Sequence, residues 1–230
     1  MVYEFVSKNK YYLIIIFVVI IIFTIWYYND NIINKIDKIY SESFITVDNT
    51  SMGPDYNLTY GEIMNSGVQN ISKYLDNNSI NKNTFIDLGS GSGRSLAYAI
   101  ANGFKNAKGV EIVDKRYNYA INTKEKLPNE IKNKMQIDKK DMFQINKDYI
   151  PKNSIIFVSN LVFPEKTNQK LIKHLSEIAP NDTILILSKV PNNLYKFKLI
   201  EKIRVPMSWQ KDSESFVLSK YDFINEKNHM

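Results

Sequence analysis

Between Thr84 and Arg94 the sequence reads Thr-Phe-Ile-Asp-Leu-Gly-Ser-Gly-Ser-Gly-Arg: an apolar run closed by Asp87, then glycine at alternate positions 89, 91 and 93. What such a stretch can do is bind. Glycines let the chain turn sharply off a strand and bring a ligand against bare backbone, and the helix predicted behind them by Leu96, Ala99 and Ile100 offers unpaired N–H groups. The expected ligand is a nucleotide-like cofactor. Downstream, Glu111 closes a second short apolar segment, Ala107-Lys108-Gly109-Val110-Glu111, at the spacing where a Rossmann-type unit places the carboxylate that accepts ribose hydroxyls.

The details exclude a dinucleotide fingerprint, whose third glycine would stand at Arg94. Asp-Leu-Gly-Ser-Gly-Ser-Gly instead resembles the first motif of the class I S-adenosylmethionine methyltransferases. The resemblance implies that Asp87 lies near the methionine amino group and that the loop passes under the ribose and methionine portions. Composition removes other chemistries. There are no cysteines and only two histidines, His174 and His229, so thiolate metal sites, a cysteine nucleophile and a histidine-based triad are excluded, and no metal is expected. The net charge of +6 is spread over scattered lysines and gives no strong indication of an anionic partner, so nucleic acid is not required.

The elements that must position these residues follow in order. Met64, Val68, Ile71 and Leu75 mark an amphipathic helix from about Glu62 to Asp76. The first strand and glycine loop come next, with the helix begun at Ser95, the strand ending at Glu111, and a helix from about Lys115 to Leu127 closed by Pro128. A third strand starts at Gln136-Ile137-Asp138 and is followed by Asp141-Met142. Ser154 to Ser159 is the clearest strand and runs into Asn160-Leu161-Val162-Phe163-Pro164, off the carboxyl end of the sheet where such folds bind ligands. A helix from Glu165 to Ile178, with His174 read as a plain exposed side chain, leads to a fifth strand at Thr183 to Leu187. Two more candidates, about Leu199 to Val205 and Ser215 to Tyr221, are expected to close the sheet as an antiparallel pair. With 44% apolar residues in 230, one α/β domain with a small appendage is expected. Its fold class is a Rossmann-like, mostly parallel seven-stranded sheet with flanking helices, preceded by one transmembrane helix.

That appendage is the N-terminus. Residues 11–28 carry no charge, and Leu13 to Ile25 is almost wholly Ile, Val, Leu and Phe. About 18 apolar residues approach the length of a bilayer span, and Tyr11, Tyr12, Trp26, Tyr27 and Tyr28 fit interfacial belts. A cleaved signal peptide is the competing reading, but its apolar region ends in small residues, and this one ends in Trp-Tyr-Tyr. The expected organisation is a tail over 1–10, an anchor over 11–28, a polar juxtamembrane linker over 29–57 and a methyltransferase domain over 58–225. Lysines flank the span on both sides and leave its orientation open. The cofactor's cytosolic origin places the domain on a cytosol-like face.

Several segments together resemble one family: Tyr60-Gly61-Glu62, the glycine loop, Gly109-Val110-Glu111, Ile156 to Phe163, Ser188-Lys189 and Ser208-Trp209, in that order. They are similar to the catalytic domain of the disruptor-of-telomeric-silencing family, non-SET histone-lysine methyltransferases on the class I fold, over roughly Leu58 to Phe223. The resemblance implies that S-adenosylmethionine is held by Asp87, Gly89, Ser90, Gly91, Glu111, Asp141 and Met142. Glu62 and Ile63 would cover it, Asp141 taking the adenine amine and Met142 the ring. Ser159, Asn160 and Phe163 would form the mouth where lysine meets the sulfonium, the Asn160 oxygen accepting from the amine. Trp209 and Phe216 would wall the lysine channel. The chain departs from the family at Ser159, which precedes Asn160 where the family has paired asparagines, at Arg94, where it has an amide, and at Phe216, where it has a tyrosine. The implied partner is a protein lysine, of a histone or of a membrane-associated protein. Two alternatives stay open: a methyltransferase acting on a small molecule, lipid or RNA, and a non-catalytic cofactor-binding scaffold.

Overall fold

The computed structural model describes residues 10–41 and 61–220. After a long helix α1 (Lys10–Ser41) and α2 (Asn65–Asn77), strands and helices alternate: β1 (Thr84–Leu88), α3 (Arg94–Ala101), β2 (Asn106–Glu111), α4 (Asp114–Lys126), the single turn α5 (Asn129–Lys132) and β3 (Met135–Lys139). Then come β4 (Ser154–Val158), α6 (Glu165–Ile178), β5 (Ile184–Leu187), β6 (Lys198–Arg204) and β7 (Glu214–Ser219).

The strands form one sheet in the order β3-β2-β1-β4-β5-β7-β6. The first five are parallel, while β7 runs antiparallel to β5 and β6 antiparallel to β7. Their side chains divide by parity between two cores. Phe85, Ile155, Phe157 and Val217 join the layer under α2 and α3, whereas Ile86, Leu88, Ile156 and Val158 join the layer under α6. Strand order reverses between β1 and β4, and a crevice opens off the carboxyl ends of such strands. That crevice is where the glycine loop lies.

One expectation for the N-terminal part needs correction. The helix does not give way to a turn-rich linker at residue 29. It continues to Ser41, and Ile32, Ile36 and Tyr40, spaced by four, are buried in the core of the domain. One such buried side chain contributes about 1.5–3 kcal/mol, enough to hold the last turns of α1 against α3. The stripe was hidden among Asn, Lys and Asp. The rest of the expected linker, the interval 42–57, lies outside the described residues, as do Tyr60 and the expected domain end at 225.

The other half of α1 is exposed: from Tyr11 to Phe23 every side chain is large, apolar and 41–78% accessible. The Trp26 side chain of the expected aromatic belt lies outside the described set. Among the described residues no helix is long and apolar enough to cross a membrane. The run with described side chains, Tyr11 to Thr24, covers about 21 Å at 1.5 Å per residue. The hydrocarbon core is about 30 Å thick. The expected crossing is therefore not supported by the described residues alone.

Two smaller corrections follow from packing. Met64 is exposed and stands before the first turn of α2, while Val68, Ile71 and Leu75 are buried as expected. His174 is half-buried, not plainly exposed, with Nε2 3.0 Å from the Ile145 carbonyl oxygen and its ring edge-on to Phe143.

Candidate active site

The floor of the crevice is the glycine loop, and its conformation explains its composition. Gly89, Gly91 and Gly93 have φ of +100°, +54° and +78°, so the turn off β1 is made through left-handed residues that other side chains rarely adopt. The backbone N–H groups of Gly89 and Ser90 both donate to the Val110 carbonyl at 2.9 Å, folding the loop across the end of β2. Gly109 is required for the same approach: a Cβ there would fall 2.5 Å from Ser90 Oγ.

Glu111 sits at the end of β2 and is almost fully buried. Its two oxygens accept from the backbone N–H groups of Gly91 and Val113, each at 2.8 Å. Each carboxylate oxygen carries a second lone pair, so this anchored side chain can also accept ribose hydroxyls. Asp87 is buried beside it and accepts from Ser95 Oγ. Burial, opposed by the Ser95 hydrogen bond and helped by the nearby Glu111 and Glu62 carboxylates, pushes its carboxyl up to about 7. A ligand ammonium beside Asp87 would supply the missing counter-charge.

The rim joins segments far apart in sequence. Ser208 N–H donates to the Glu62 carbonyl at 2.7 Å, Glu62 N–H donates to Ser208 Oγ at 3.0 Å, and Ile63 bridges Met207. The Trp209 ring lies on Gly61: a Cβ added there would sit 2.0 Å from Trp209 Cζ3. From this rim the Glu62 carboxylate reaches down to accept from Ser92 Oγ in the loop. The cleft so enclosed is lined by Gly61, Glu62, Ile63, Asp87, Gly89, Ser90, Gly91, Ser95, Phe157 and Ser159.

The structure thus brings together Glu62, Ile63, Asp87, Gly89, Ser90, Gly91 and Ser159, with Glu111 bonded to the loop from behind. Asp141 and Met142 lie further along, past β3. Asp141 accepts from Phe143 N–H at 2.9 Å and starts a short turn that carries Met142, half-buried against the α6 layer. Phe163 and Phe216 are half-buried against that same layer, and Lys202 Nζ lies 5.4 Å from the Phe216 ring centroid. Trp209 stands over Gly61.

Asn160 is not among the residues lining the cleft. Its side chain is fully buried: Oδ1 accepts from Lys189 N–H at 3.0 Å, and Nδ2 donates to Asn168 Oδ1 and the Lys189 carbonyl, both at 2.8 Å. It ties the end of β4 to the segment after β5 and so holds Ser159 in place. Residues the sequence reading missed include Ser92 and Ser95, whose hydroxyls bind Glu62 and Asp87, and Phe157, whose ring backs the cleft. Serine alternating with glycine was the available signal for the first.

Two observations fit a bound nucleoside. Ser90 Oγ is buried in the cleft with no hydrogen-bond partner among the described residues. A Cβ at Gly89 would meet nothing within 4 Å, so the backbone there faces the open cleft. Among the described residues no cluster of acidic or histidine side chains could hold a metal.

Comparison with known proteins agrees. The methyltransferase domain of bacterial CtHen1-C is 14% identical with a TM-score of 0.52, covering 67% of this chain and 97% of that one. Mitomycin 7-O-methyltransferase MmcR is 9% identical with a TM-score of 0.51, covering 68% and 54%. An RNA methyltransferase from Salinibacter ruber, in complex with S-adenosyl-L-homocysteine, is 16% identical with a TM-score of 0.47, covering 65% and 88%. At these identities the first two likenesses establish the Rossmann-like methyltransferase fold alone. No curated protein matches the sequence. The family model described as histone methylation protein DOT1 matches residues 52–218, which takes in the rim, the loop and all seven strands. The chain therefore belongs to the DOT1 family and is an S-adenosylmethionine-dependent methyltransferase.

Proposed function

We propose that this protein is a membrane-anchored protein-lysine N-methyltransferase whose domain faces a cytosol-like compartment. The observation that carries the lysine reading is the rim, Gly61–Ile63 hydrogen-bonded to Met207–Trp209 over a cleft that ends at Ser159. These are the segments that set the family apart from other methyltransferases with the same loop. The membrane reading is supported by the exposed apolar face of α1 and by the uncharged sequence from Tyr11 to Tyr28. The acceptor is then a lysine on a histone or on a protein at the membrane surface.

Bound S-adenosylmethionine supplies an electrophilic methyl group. The remaining task is to present a neutral amine in line with it and to exclude water. Apolar surroundings disfavour the ammonium form of a lysine and so help it to arrive deprotonated. With Asn160 buried outside the lining and Ser159 on it, the acceptor at the mouth is Ser159, which orients the amine lone pair. Asp87 and Glu111 hold the cofactor's polar ends, and Glu62 closes over it from the rim.

The test uses the full chain in lipid nanodiscs with methyl-labelled S-adenosylmethionine, offered core histones or solubilised membrane proteins. Label is expected on lysine Nζ of a protein. Label found only in lipid, RNA or small molecules would overturn the lysine reading while leaving methyl transfer intact.

A further inference from the structure

The glycine loop and its rim are held from outside the domain as well as from within it. Next to the buried Ile36, Asp37 reaches from α1 to the start of α3. Its Oδ1 accepts from Arg94 Nη2 at 2.8 Å and from the Tyr98 hydroxyl, while Arg94 Nε donates to the same hydroxyl at 2.7 Å. The guanidinium carbon stands 5.7 Å from the Tyr40 ring centroid and 5.4 Å from that of Tyr98. Arg94 is therefore gripped on one side by α1 and Tyr98. Its remaining nitrogen, Nη1, faces Glu62 Oε2 at 3.5 Å, and Glu62 in turn accepts from Ser92 of the loop.

We propose that Asp37 is a positioning residue for the cofactor site, acting through Arg94 on the Glu62 lid. The inference rests on the cleft being the S-adenosylmethionine site. The charges explain why such a device is needed. Glu62 and Asp87 line the cleft with Glu111 behind the loop, and Arg94 is a cation facing Glu62. A guanidinium on a long, rotatable side chain would not keep one position against Glu62 unless something fixed its other nitrogens. Asp37 does so, from a helix that contributes no residue to the lining of the cleft. Tyr98, kept protonated by its burial and by Asp37, completes the grip.

The test is calorimetric titration of the purified full chain with S-adenosylmethionine, alongside steady-state kinetics and thermal melting. Asp37→Asn is expected to raise Kd and the cofactor KM about five- to tenfold, with kcat at saturation unchanged. Asp37→Glu is expected to recover most of the affinity. Ile36→Ala loosens the same helix without touching Arg94 and is expected to lower Tm while leaving Kd within twofold. In an Arg94→Gln background, Asp37→Asn is expected to have no further effect on Kd, because the coupled partner is gone. The proposal is overturned if Asp37→Asn leaves Kd unchanged, if Ile36→Ala raises Kd as much, or if the effect persists in the Arg94→Gln background. A wild-type chain that binds no S-adenosylmethionine overturns the cofactor reading itself, an outcome distinct from equal binding by wild type and Asp37→Asn.

Discussion

Asp87 and Asn160 show how far a residue's type determines its role. Asp87 lines the cleft, and its environment adds a pH dependence that its type alone does not carry. An acid raised from 3.8 to about 7 is favoured by the fold in its protonated form. The ligand-free protein should therefore lose stability as pH rises from about 4 through 7, because ionisation opposes burial. A cofactor ammonium beside Asp87 would pair with the ionised form, so affinity should rise roughly tenfold between pH 6 and pH 8, following the ionised fraction. Calorimetric Kd values at the two pH values check this, and Asp87→Asn should flatten the difference. For Asn160, removing the amide strands Lys189 N–H and the Asn168 side chain in the interior, at about 1–3 kcal/mol for each unpaired group. Asn160→Ala should accordingly lower the midpoint of urea unfolding. Two of the amide's bonds reach Lys189, 29 residues away, and no local pattern announces them.

Strands and helices were legible wherever period and punctuation agreed. Glu165–Ile178 falls at the predicted bounds because Pro164 opens it and the stripe Leu171, Ile172 and Leu175 runs unbroken. The antiparallel closing pair was also foreseen, as was the glycine loop, since alternating glycines leave few backbone solutions other than a turn through positive φ. The extension of α1 to Ser41 was not, because three apolar residues among polar ones resemble a solvated linker until a partner surface is known. The clasp of the rim is another element-level feature that sequence could suggest but not connect. Gly61→Ala would drive a methyl group into the half-exposed Trp209 ring and swing it outward. The KM for a lysine acceptor is expected to rise several-fold, with Tm changed by only a few degrees.

For the whole molecule, the exposed half of α1 is the feature on which the proposed membrane attachment rests. If α1 enters a bilayer, Ile16→Asp with Ile20→Asp should abolish it, since a carboxylate at mid-helix costs about 2.5–3.5 kcal/mol to insert. Flotation with liposomes is the measurement: wild type is expected to rise with the vesicles and the double variant to stay at the bottom of the gradient. Because α1 is one uninterrupted helix, it also sets a stand-off height. Tyr28 already touches the domain, its hydroxyl donating to Glu130 at 2.9 Å, and Asp37 lies nine residues further on, about 13 Å along the axis. Were Tyr28 at the lipid surface, the cleft would be carried at a fixed altitude, like a reading head over a track. Lysines within one short segment of the membrane would pass beneath it, and those on distant, freely diffusing domains would not.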